Sequence, residues 1–109
     1  EKQHIYTWFV GNSGFANQHW AHEIGLKPAN PWGFHDVNGN VGEWVSDWAA
    51  TYTSEPRVDP KGSRQGWGNL YRGVSYRDSG RHLSSWYRRV AEVGHRSLQI
   101  GLRVVMEAE

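Results

Sequence analysis

Apolar positions in this chain fall into short segments whose spacing changes from one to the next. "IYTWFV", residues 5–10, is apolar and rich in β-formers, and the "GNSG" at 11–14 stops it, so a strand is expected there. "NQHWAHEIG", 17–25, fits either a short helix ended by Gly25 or a strand around Trp20–Ile24. "LKPANPWG" carries two prolines and predicts an extended connection. In "VGEWVSDWAA", 41–50, Val41, Trp44, Val45 and Trp48 stand at helical spacing, with a strand as the other option. Thr51 to Asn69 is polar with Pro and Gly and predicts a long surface loop. "LYRGVSYR", 70–77, alternates weakly as a strand does, while "LSSWYRRVAEV", 83–93, suits a strand or a short helix. The clearest strand is "SLQIGLRVVM", 97–106, which puts Leu98, Ile100, Leu102, Val104 and Met106 on one face. No repeat and no linker divides the sequence. The pattern predicts one α+β unit made mostly of strand and loop.

Composition sharpens that picture. With 109 residues the ratio of surface to core is high, so the stability margin is thin. Thirteen glycines point to many turns, and seven tryptophans with five tyrosines point to large rigid side chains filling irregular gaps. A net charge of +1 gives no long-range attraction to nucleic acid or to an anionic membrane, and no apolar run is long enough to span a bilayer. Cysteine is absent, which rules out disulfides, a thiolate nucleophile and a Cys-based zinc site built from this chain. The start, "EKQHIYTWF", lacks an initiator Met and a signal peptide, so an excised piece of something longer is expected.

Two stretches carry candidate chemistry. "DVNGNVGE", 36–43, gathers Asp36, Asn38, Asn40 and Glu43 around two glycines, inside a run, 32–48, that holds three of the tryptophans. Carboxylates, carboxamides and freed carbonyls are the hard oxygen ligands that Ca²⁺ takes. A bare Asx-rich turn, its side chains bonded to its own backbone, is the simpler alternative, and the EF-hand spacing is missing. The second stretch, Arg77 to Arg96, holds five arginines, His82, His95, Trp86 and Tyr87, a mixture suited to recognising carboxylates, glycans or proteins. Ion pairing within the fold is the expectation for Arg72 and Arg103, and contact with a ligand for Arg77, Arg81 and Trp86. Elsewhere the pair in "HWAH", His19 and His22, would share a helix face but lacks a third ligand. Ser75 and Ser79 lack a G-x-S-x-G elbow, and Asp78 with His82 reads as an acid–base pair or a solvated loop.

The order "PWGFHDVNGNVGEWVSDW … DPKG … LYRGVSY … SSWYRR … IGLRVV" resembles the C-terminal half of the sulfatase-modifying factor, or formylglycine-generating enzyme, superfamily. The upstream "WFVGNSG … HEIG" is similar to the segment leading into it, so the resemblance covers nearly the whole chain, 1–109. It implies an elaborated C-type-lectin-like fold, rich in loops. It also implies a structural Ca²⁺ held by the Asp36 and Glu43 side chains and the Gly39 and Val41 carbonyls, sealed by the tryptophans. One departure is Gly42, where the family has tryptophan; loss of that packing partner would loosen the loop. The family's oxidase uses a cysteine pair to bind copper, and this chain has none. Other family members work without those cysteines, in pyoverdine maturation or sulfoxide synthesis, and variable proteins of diversity-generating retroelements share the fold and bind ligands on the corresponding C-terminal surface. The implied role is therefore a non-catalytic binding or structural domain, with Arg77, Asp78, Arg81, His82, Trp86 and Tyr87 beside a solvent-open groove. Its partner there is a protein or small molecule, or the N-terminal half of the same domain. The alternative is the C-terminal part of a cysteine-independent, oxidoreductase-type enzyme.

Overall fold

In the computed structural model, which describes residues 2–109, the longest element is strand β3, Gly42–Trp48. It is preceded by a one-turn helix α1, Gln3–Tyr6, and by the two-residue strands β1, Gly14–Phe15, and β2, Gln18–His19. After it come β4, Asn69–Arg72, a 3₁₀ turn, Gly80–His82, β5, Arg88–Ala91, and β6, Ile100–Gly101. The main sheet runs β5-β4-β3-β6, antiparallel except for the β3–β6 pair. The class is α+β, dominated by strands and loops.

Helical spacing in 41–50 yields to pairing. Trp44 lies opposite Tyr71 on β4, their rings edge to face at 5.6 Å, and this cross-strand contact is available only to an extended chain. Gly42 fits the same contact. A Cβ there would lie 2.8 Å from the Tyr71 ring, so Tyr71 occupies the space a larger residue would need. The loosening expected from Gly42 is thus offset by a ring from the next strand.

Other expectations meet tertiary constraints. Residues 5–10 form no strand; α1 ends at Tyr6, and the backbone beyond it serves distant loops, Val10 N donating to Asp78 O at 3.0 Å. The segment 17–25 contributes only β2, joined to β1 by a two-residue turn with Ala16 at φ 50° and Asn17 at φ 61°, the twist that suits a tight hairpin. "LYRGVSYR" stops pairing at Gly73, φ 81°, after which Val74, Ser75 and Tyr76 turn into the core. The ambiguous 83–93 becomes strand only over β5. The clearest prediction fares worst: of 97–106 only Ile100 and Gly101 pair, with Gly42 and Glu43, and Val104 and Met106 are 83% and 93% exposed. Alternation shows which face seeks cover, but a strand also needs a neighbour to bond, and β3 offers β6 two residues.

The core is small and mixed. Among the described residues five apolar ones (Ala49, Leu70, Val74, Tyr76 and Leu83) are buried, and so are five polar ones, Thr7, Ser13, Asp36, Asn40 and Ser75. Hydrogen bonds among buried polar groups therefore organise this interior as much as apolar contact does. The tryptophans do not all fill it, since Trp32, Trp67 and Trp86 are exposed.

Candidate functional site

The loop Asp36–Glu43 is built on left-handed backbone, with Asp36 at φ 54°, Gly39 at 129° and Asn40 at 66°. At Gly39 a Cβ would lie 2.4 Å from Thr7 Cγ2, so the loop is clamped against residues 7 and 8 and only glycine fits. Asn40 locks it further. Its Oδ1 accepts from His22 N at 2.8 Å and its Nδ2 donates to His22 O at 2.9 Å. Its backbone N donates to Trp8 O and its carbonyl accepts from Tyr76 N. One buried residue thus ties its loop to three other segments through side chain and backbone, and one lone pair and one N–H of its carboxamide are already engaged.

Asp36, Gly39, Val41 and Glu43, the four residues implied as metal ligands, do line one cavity of about 530 Å³, with Phe34, Leu102 and Arg103. Asp36 Oδ2 accepts from Gly25 N at 2.9 Å, while Asp36 Oδ1 and Asn38 Oδ1 are buried without a partner. Two orphaned acceptors in one loop are costly unless something electropositive meets them, and a hard cation fits that need. Glu43 differs. Arg103 Nε and Nη2 donate to its two oxygens at 2.9 and 2.8 Å, and Nη2 also donates to His35 O. The bond to Glu43, opposed by burial, raises the Arg103 pKa. Among the described residues no three His, Asp or Glu side chains cluster as metal ligands. A cation in this cavity would draw on Asp36 and main-chain carbonyls, with Arg103 competing for Glu43; Asn38 does not line it. Trp32, 83% exposed, does not seal the loop.

His19 and His22 do converge, though from a hairpin and the strand-like stretch after it rather than from a helix. His19 Nδ1 sits 3.1 Å from Ser13 Oγ, and His22 Nε2 is 2.9 Å from Ser13 O. His22 also stacks on Trp8, centroids 3.7 Å apart, with the Lys27 ammonium 4.4 Å over the same indole. Burial there pushes the Lys27 pKa down, against the attraction of Asp36. These rings are packing elements.

The six residues expected at a ligand groove divide into two sets. Arg77, Arg81 and Trp86 are exposed. Asp78 is not: its Oδ2 accepts from Ser75 N at 2.6 Å and its Oδ1 pairs with Arg89. His82 stacks on Tyr87 at 4.8 Å, Trp86 meets Tyr87 edge to face at 6.3 Å, and Arg89 Nε donates to the Tyr87 hydroxyl. Asp78, His82 and Tyr87 are thus the support on which the exposed three stand. Burial works against the Arg89 charge, but hydrogen bonds to Tyr87 and Asp78 outweigh it and raise its pKa. The ion pair expected at Arg72 is absent among the described residues, and Arg72 Nη1 donates to Ser85 O instead; the arginines that pair are Arg89 and, as expected, Arg103. Asp78 and Arg89 face a small polar cavity of about 170 Å³, with Ser75, His95, Ser97 and Gln99. Ser75 Oγ donates to Gln99 at 2.8 Å, across 24 positions that no local spacing links.

A family model for the sulfatase-modifying factor enzyme 1-like domain matches residues 3–108. The chain is similar to the formylglycine-generating enzyme of Mus musculus, 34% identical over 68 residues, which is 62% of this chain and 18% of that enzyme. It is also similar to the Bos taurus enzyme, 36% identical over 50 residues, 45% of this chain and 13% of that one. Among solved structures, Treponema denticola variable protein 1 superposes with a TM-score of 0.82 at 30% identity, covering 93% of this chain and 36% of the other. The chain thus spans a minor part of each of these relatives.

Proposed function

That the chain belongs to the sulfatase-modifying factor enzyme 1-like family is the premise from which we propose a non-catalytic binding domain, steadied by a calcium ion in the Asp36–Glu43 loop. With no cysteine among its 109 residues, the chain supplies no thiolate for the copper chemistry its family resemblance implies. The observation that carries the proposal is the platform at Trp86. Its indole is 71% exposed yet set against Tyr87, which His82 and Arg89 hold in turn. Arg77 and Arg81 are exposed on the adjoining turn. An exposed, backed aromatic on a segment that also carries exposed guanidinium groups binds partners at low cost in side-chain entropy. The ion would neutralise Asp36, meet its free oxygen, and add stability to the folded loop.

Selection of a displayed peptide library on the chain, repeated on an Arg81→Ala/Trp86→Ala variant, tests the binding surface. Peptides retained by the parent and lost by the folded variant support it. Peptides indifferent to both substitutions overturn it.

A second reading, the C-terminal part of a cysteine-independent enzyme of the family, draws support from the polar cavity at Asp78, Arg89 and His95. Turnover by a longer gene product that Asp78→Asn abolishes without loss of fold would favour it over the binding domain.

A further inference from the structure

On the face of β4 and β5 that carries Leu70, Arg88 and Val90 lies a groove that adjoins the Trp86 platform, Tyr52 Oη donating to Trp86 O at 3.5 Å. It measures about 410 Å³ and its walls are Ala49, Leu70, Val90, Tyr52, Trp67 and Arg88. Apolar and aromatic side chains dominate it, and Arg88 is its one charged residue. The guanidinium is held in place: its carbon lies 3.6 Å from the Tyr52 ring centroid, and Nη2 donates to Ala50 O at 2.7 Å. Among the described residues Arg88 takes part in no ion pair; the two that form use Arg89 and Arg103. Trp67, at the groove's edge, is 77% exposed. The adjoining groove shares Tyr52, Leu70 and Arg88 but adds Asp47, Glu55 and Arg57, so it carries no net positive charge.

We infer that the groove of Tyr52, Trp67 and Arg88 is a binding site for a small apolar carboxylate, one anionic group on an aromatic or aliphatic body. The volume is that of a small-molecule pocket. The apolar body buries against Leu70, Val90 and the Trp67 indole, and the carboxylate takes the planar N–H donors that Arg88 has left, in the geometry for which guanidinium is suited. Stacking on Tyr52 and the bond to Ala50 fix the guanidinium before the ligand arrives, so little is lost in ordering it. This site goes beyond the Trp86 platform and rests on different side chains.

The test is a titration of the ¹⁵N-labelled full chain with 3-phenylpropionate, read at the Trp67 indole N–H, beside 3-phenylpropionamide. The acid is expected to give a saturable shift, with the neutral amide about tenfold weaker, as loss of one charge-assisted hydrogen bond predicts. Arg88→Gln should weaken the acid by a similar factor and Arg88→Lys by less, while substitution of an exposed arginine outside the groove, Arg96→Ala, leaves it unchanged. Trp67→Ala, at an exposed position that does not threaten the fold, should weaken acid and amide alike, followed by the shift of a groove backbone amide. Equal affinity for acid and amide, an Arg88→Gln chain that binds as the parent does, or no saturable shift at millimolar acid overturns the inference.

Discussion

Asn40 is the residue whose role changes most between sequence and structure. As one of several oxygen-bearing side chains in "DVNGNVGE" it reads as a candidate ligand, yet its amide both accepts from and donates to the His22 backbone. Asn40→Ala should therefore act as a core mutation, costing about 2–4 kcal/mol because it leaves buried main-chain groups unpartnered. Urea denaturation gives the number, and a loss below about 1 kcal/mol would refute the role. Asp36 behaves oppositely. Removing calcium with EGTA should lower the melting temperature by several degrees, the effect of withdrawing a ligand that binds only the folded state. Asp36→Ala should abolish that response. Glu43→Gln should keep part of it, since Arg103 already engages that carboxylate. A melting curve indifferent to EGTA excludes the ion.

At the scale of elements, β3 and β4 are joined by what Gly42 lacks. The Tyr71 ring fills the place of a side chain at 42, and Trp44 packs on the same ring. Restoring the family's residue with Gly42→Trp should destabilise the chain by at least the ~1–3 kcal/mol of an overpacked contact. Adding Tyr71→Ala should return part of that loss, a non-additivity that a double-mutant cycle measures. Additive effects would mean the two positions do not share the space.

For the whole molecule, the exposed apolar row at the C-terminal end sets the behaviour in solution. Leu102, beside the cavity at Phe34 and Arg103, is exposed, and so are Val104, Val105 and Met106. Surfaces of this kind associate. The chain should bind a hydrophobic dye and self-associate with rising concentration, and Val104→Glu with Met106→Glu should suppress both without lowering the melting temperature. Sedimentation and dye fluorescence decide it. If the double substitution destabilises the fold, the row is packed rather than exposed.

Several features were legible in the sequence because they depend on local chemistry or on composition. The α+β class, the long polar loop after Thr51, the family and the exposure of Arg77, Arg81 and Trp86 all belong here. Asp36, Gly39, Val41 and Glu43, a set that the family resemblance rather than the spacing implies, line one cavity. Tertiary structure alone decided which groups are free. Glu43 meets Arg103 across 60 positions, Ser75 meets Gln99 across 24, and Asp78 is claimed by Arg89 from the neighbouring strand. It also decided that 41–50 is extended and that 102–106 is left uncovered, because a strand exists only where another backbone bonds to it. Periodicity reports what a segment would bury, and only the assembled chain supplies the partner that buries it.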